Sequence, residues 1–201
     1  MNGNAKYQQV LDLARDVGIL RGRDLAERGI HSEYLRRLFK KGLLKRAGRG
    51  LYMLPDAEIS VHHTLALASK WAPRGVICLL SALQFHEIGA QMPFEVWMAL
   101  DRNAAAPRID YPPMRIMRFS GKSLDEGVEI HSLEGVEVKV YCPAKTVVDC
   151  FKYRNKIGLD VALEGLKECL RERRCINDEL WRYARICRVA NVMRPYLEAM
   201  S

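Results

Sequence analysis

The chain lacks paired cysteines. It has six, but no two stand in a C-x-x-C pair and none has a histidine at zinc spacing. That argues against zinc-ribbon and thioredoxin-like motifs, and the thiols read as reduced side chains, mostly in cores. No apolar run reaches the roughly 18 residues that a membrane-spanning helix needs, so no membrane partner is expected. The opening residues carry no signal-peptide pattern, and the cytoplasm is the expected location. There is no internal repeat and no low-complexity tract, which argues against a solenoid or a long disordered arm. At 49% apolar and 28% charged, the 201 residues suit one or two globular domains.

Acidic residues are scarce in one region only. Residues 1–54 hold twelve Lys/Arg against five Asp/Glu, a net +7, while residues 55–201 hold twenty against nineteen, a net +1. Almost the whole formal charge of +8 therefore sits in the first quarter of the chain. Solubility does not require that concentration, whereas a polyanion such as double-stranded DNA does.

The same quarter carries a recognisable order of elements. Residues 7–17 place Val10, Leu11, Leu13, Ala14 and Val17 on one helical stripe, ended by Gly18. Ile19 and Leu20 make a short extended link, and residues 21–28 a second, short helix. A third helix opens at His31, with Tyr34, Leu35, Leu38 and Phe39 on its apolar face, and stops at Gly42. Residues 44–47 and 51–54 then flank Gly48–Arg49–Gly50, the composition of a hairpin with an Arg tip. Three helices and a hairpin make a winged helix-turn-helix, in which the third helix enters the major groove and the wing lies beside it. Ser32, Glu33, Arg36, Arg37 and Lys40 are the candidate DNA contacts on that helix, with Lys41, Arg46 and Arg49 completing the set. Arg can meet guanine O6 and N7 together, and Ser or Glu can meet base edges near the helix start. Lys40, Lys41 and Arg49 suit phosphates. Ser32 also suits a helix cap.

Residues 55–60 read as a linker, dividing a domain over 1–55 from one over 61–201. A helix is expected over 61–71, a strand over 75–79, a helix over 81–87, and strands over 95–100 and 115–119. A hairpin of 128–133 and 136–141 follows, turning at Glu134–Gly135. Pro143 starts a helix, and three more segments form a helical tail. The fold class is thus α+β: a winged helix-turn-helix, then a mixed α+β domain with a helical C-terminal tail.

The segment GLLKRAGRGLYMLP, after a helix of the LRRLFKKG type, resembles the start of AbiE-type (AbiEi family) antitoxins. CPAKTVVDCFKYRNKIGLDVALEGL resembles the C-terminal domain of the same family. There a Pro-x-[Arg/Lys]-Thr-x-x-Asp helix follows a strand hairpin, matched here by Pro143, Lys145, Thr146 and Asp149. LLSALQFHEIG fits that domain's Ser-Ala-Leu helix. The resemblance implies a transcriptional repressor that binds inverted repeats in its own promoter. It also implies an antitoxin of a type IV toxin–antitoxin (abortive infection) operon. The toxin would be nucleotidyltransferase-like, and it would be counteracted without a stable complex. On this reading Lys145, Thr146 and Asp149 are a patch for antitoxin action. The residues themselves leave a second possibility open, in which Thr146 and Asp149 satisfy free N–H groups of the first turn and Lys145 is solvated.

No enzyme, cofactor or metal is expected. His62–His63 has no third ligand nearby, and Ser81 with His86 has no third triad member. The rival reading is a metal-dependent nuclease-like C-terminal domain. Glu137 and Lys139 share one strand face, and such chemistry would need a second carboxylate, for which Asp125 and Glu129 are available.

Overall fold

The computed structural model describes residues 3–200. The chain packs as two units. Among the described residues the first takes in 3–73 together with Pro107–Pro112 and Ser132–Val138, and the second holds the remainder. The first unit thus runs past Pro55 and recruits two short stretches from far along the sequence.

In the first unit, helix α1 (Gly3–Val17) turns Val10, Leu13 and Ala14 inward. The Ile19–Leu20 link becomes a short strand, β1 (Leu20–Arg21), followed by α2 (Gly22–Ala26) and α3 (Glu33–Lys40). The wing is β2 (Lys45–Gly48) and β3 (Leu51–Met53). These strands form a three-stranded sheet in the order β1-β3-β2, with Leu20 opposite Tyr52 and Lys45 opposite Met53. The β2–β3 register shifts between Arg46 and Gly48, and Gly50 takes a φ of +71° to close the turn. Leu25, Ile30, Leu35, Leu38 and Leu44 join the α1 side chains in one core.

A fourth helix, α4 (His63–Trp71), also belongs to this unit. Lys70 Nζ reaches Asp24 at 2.9 Å, and an Arg21 guanidinium N–H donates to the Lys70 carbonyl at 2.7 Å. The Trp71 ring lies under the wing, 3.8 Å from where a Cβ on Gly50 would stand. These contacts explain why the unit does not end at the linker.

The linker itself is held by Glu134. Its carboxylate accepts hydrogen bonds from the Ser60 N–H (2.8 Å) and hydroxyl (2.9 Å), and lies 2.6 Å from His63 Nδ1. Glu134 and Gly135 have φ of +51° and +75°, as a tight two-residue turn requires. Gly18 is tied to that turn, because a Cβ there would stand 1.6 Å from the Glu134 carbonyl oxygen. Burial raises the Glu134 carboxyl, but the hydrogen bonds from His63 and Ser60 outweigh it and leave the group below its ordinary value.

A five-stranded mixed sheet underlies the second unit, with the hairpin tip Ser132–Val138 reckoned to the first. Its strands are β4 (Val76–Ile77), β5 (Val96–Asp101), β6 (Met114–Phe119), β7 (Val128–Leu133) and β8 (Val136–Tyr141), in the order β6-β5-β4-β8-β7. β5 runs parallel to β6 and antiparallel to β4, while β4 runs parallel to β8. Val96 to Leu100 are all buried, which accounts for their unbroken apolar run. Helices α5 (Leu79–Phe85), α6 (Lys122–Asp125), α7 (Pro143–Lys152), α8 (Arg154–Ile157), α9 (Leu159–Arg171), α10 (Asn177–Ile186) and α11 (Ala190–Ala199) complete the chain. α7 is the axis of this unit, and α5, α9 and α10 all pack on it. The architecture is α+β, as expected.

Candidate nucleic-acid interface

α3 is amphipathic because Leu35 and Leu38 recur on the face that meets the core. That leaves Ser32, Arg36, Arg37, Lys40 and Lys41 exposed, with Glu33 half-buried. Glu33 lies 3.9 Å from Arg37, which also sits over the Tyr34 ring. Lys41 is held over the Tyr7 ring at 4.4 Å, and Arg46 over Phe39 at 5.4 Å. These contacts fix where three of the cations stand. Among the described residues none forms an ion pair with Arg36, which projects from the outer face.

Ser32 stands at the N-cap position of α3, but its hydroxyl makes no capping bond. The Glu33 N–H donates instead to His31 Nδ1 at 3.2 Å. Ser32 packs where α2 begins, its Cβ 3.1 Å from where a Cβ on Gly22 would stand. Its hydroxyl is therefore not used up by the helix start. The turn between α2 and α3 opens into a shallow cavity of about 610 Å³ lined by Gly22, Arg23, Gly29, Ile30, His31 and Ser32, among others.

The wing presents Arg49 at its tip, its side chain 85% exposed. Its guanidinium meets the carboxylate of Asp110 at 3.2 Å, a residue 61 positions further on and itself 84% exposed. Neither Asp110 nor the Trp71 brace was legible in the sequence, because both are long-range neighbours of the wing.

The expected patch of Lys145, Thr146 and Asp149 is corrected by the structure. All three side chains are fully buried. Lys145 Nζ donates to Asp149 at 2.5 Å and lies 4.0 Å from the centre of the Tyr141 ring. The Thr146 hydroxyl donates to the Tyr141 carbonyl at 3.0 Å, and the Cys187 thiol to Asp149 at 3.3 Å. Burial pushes the Asp149 carboxyl above its ordinary value, against the pull of Lys145 and Cys187. Neither the surface patch nor the solvated-lysine alternative describes this. The motif is a satisfied ion pair inside α7, where Ala144 through Phe151 are all buried.

Of the other sequence candidates, Ser81, His86 and His63 each have a partner within the fold. Ser81 Oγ accepts the Trp97 N–H at 2.9 Å, and the His86 ring donates to the Tyr141 carbonyl at 2.7 Å. Burial lowers the His86 imidazole. His63 is engaged by Glu134. Glu137 is exposed and Lys139 half-buried on one face of β8, while Val136, Val138 and Val140 point inward. Among the described residues no group of three His, Cys, Asp or Glu side chains gathers as metal ligands would. No helix among them is long and apolar enough to cross a membrane.

Residues 8–55, the winged helix up to the end of the wing, match the family model for the AbiEi antitoxin transcriptional regulator. No curated protein matches the chain. Among solved structures, the RV2827C protein from Mycobacterium tuberculosis is similar at 17% identity and a TM-score of 0.58, over 90% of this chain and 71% of that one. At that identity the likeness speaks to the fold alone. The exposed cations of α3 and its wing thus stand on the part of the chain, residues 8–55, that is similar to the AbiEi antitoxin transcriptional regulators.

Proposed function

We propose that this chain represses its own operon and serves as the antitoxin of a type IV system. α3 enters the major groove of promoter inverted repeats, and the wing lies on the adjacent backbone. Arg36 reads base edges with Ser32 and Glu33 near the helix start, and Arg37 stands beside them. Lys40, Lys41, Arg46 and Arg49 hold phosphates. The observation that carries this reading is the row of exposed cations on α3 and the wing of a domain matched to AbiEi regulators. The DNA-binding part is the first unit, with α4 as its support, and the second unit carries the antitoxin role. The proposed target is a cytoplasmic nucleotidyltransferase-like toxin, counteracted without a stable complex. Because Lys145, Thr146 and Asp149 are enclosed, the antitoxin surface lies elsewhere on that unit.

The test is a reporter fused to the operon's own promoter, together with a toxicity assay against the neighbouring gene. Wild-type chain should silence the reporter and protect the cells. Arg36→Ala should release the reporter and leave protection intact. A reporter that ignores the chain would overturn the repressor half, and cells that die despite it would overturn the antitoxin half.

A further inference from the structure

The wing tip carries its own anion. Asp110 lies in the stretch Pro107–Pro112, which packs with the DNA-binding unit although it joins two strands of the other. Pro112 is buried and Ile109 half-buried, so the stretch is seated, while Arg108, Asp110 and Tyr111 face solvent. The Arg49 to Asp110 contact, N to O at 3.2 Å, is the one a phosphate oxygen would make with the same guanidinium. A pair this exposed is weak, so a phosphate can displace the carboxylate.

We propose that Asp110 is a phosphate surrogate at the wing tip, which holds down the sequence-independent backbone affinity of the DNA-binding unit. The inference rests on the DNA-binding reading above and adds a residue that acts against it. Its effect falls equally on operator and random duplex, because it works on the phosphate contact and not on base edges.

The experiment is a set of binding titrations of full-length chain on operator and scrambled duplexes over a salt series. The proteins are wild type, Asp110→Asn, Arg49→Ala and the double variant. Asp110→Asn should bind both duplexes about two- to five-fold more tightly at low salt, as loss of a weak exposed pair allows. In the Arg49→Ala background the gain should vanish, since the carboxylate acts through Arg49. Unchanged or weaker binding by Asp110→Asn would overturn the proposal. So would an equal gain in both backgrounds, which would mark a general charge effect. Failure of wild type to bind any duplex at low salt removes the DNA reading itself, a result distinct from binding that ignores Asp110.

Discussion

Replacing Lys145 with alanine removes the partner of a carboxylate that has no access to water. Asp149 would keep the Cys187 thiol and lose its ionic contact with Lys145, and the rings of Tyr141 and Phe119 would lose the ammonium that lies over them. Breaking one side of a fully buried pair costs about 3–5 kcal/mol. For a domain of this size each kcal/mol moves the midpoint by about 2–4 °C, so thermal melting should fall by roughly 6–20 °C. A surface patch predicts something quite different, a change within about 0.5 kcal/mol. The double variant Lys145→Met with Asp149→Leu removes both charges together and should recover most of the loss, because no unpaired charge stays behind. The assay is thermal and urea unfolding followed by circular dichroism. A Lys145→Ala protein that melts within a degree of wild type would refute the burial argument.

Arg36→Ala should weaken operator binding by about 1–3 kcal/mol and relax preference at one base pair, while Arg49→Ala should weaken operator and scrambled duplex alike and reduce the salt slope by about one; paired titrations separate the two. Gly18→Ala should destabilise the first unit, since its Cβ would stand 1.6 Å from the Glu134 carbonyl and its φ of +64° is strained for alanine; the readout is the thermal midpoint. Because the Glu134 carboxyl is held below its ordinary value, its contribution is fully present above about pH 4.5 and is lost as pH falls through its lowered folded value. Glu134→Gln should therefore flatten the acid limb of a stability–pH profile, and an unchanged limb would contradict the Ser60 and His63 contacts.

Much of the fold is legible in the sequence because its elements are marked locally. Alternation around Glu134–Gly135 places the hairpin at the ends the structure gives it, Val128–Leu133 and Val136–Tyr141. Glycines 18, 42 and 50 punctuate the winged helix where positive φ is needed. What periodicity does not reveal is which faces another layer will cover. Lys145 and Asp149 stand four apart, the spacing of an exposed ion pair as much as of a buried one. Only the packing of α5, α9 and α10 around α7 decides between them. The strand β1 is two residues long and owes its existence to β3, thirty positions away, so no local pattern announces it. The same holds for Asp110 at the wing and Glu134 on the linker. The candidate DNA contacts of α3 carry a local signal instead, since charge and helical phase point the same way there and the cations are exposed.

The most direct test of the central claim is the salt dependence of DNA binding by residues 1–73, measured beside the full chain. This fragment keeps α4, with its Lys70–Asp24 pair and the Trp71 brace under the wing, which a cut at residue 55 would lose. If the α3 and wing cations neutralise about five phosphates, log K should fall with log salt at a slope near −4 to −5. The fragment should reproduce most of the full chain's slope on a promoter duplex. A slope near zero, or a slope carried by the full chain and absent from a folded fragment, would contradict the assignment of DNA binding to the winged helix.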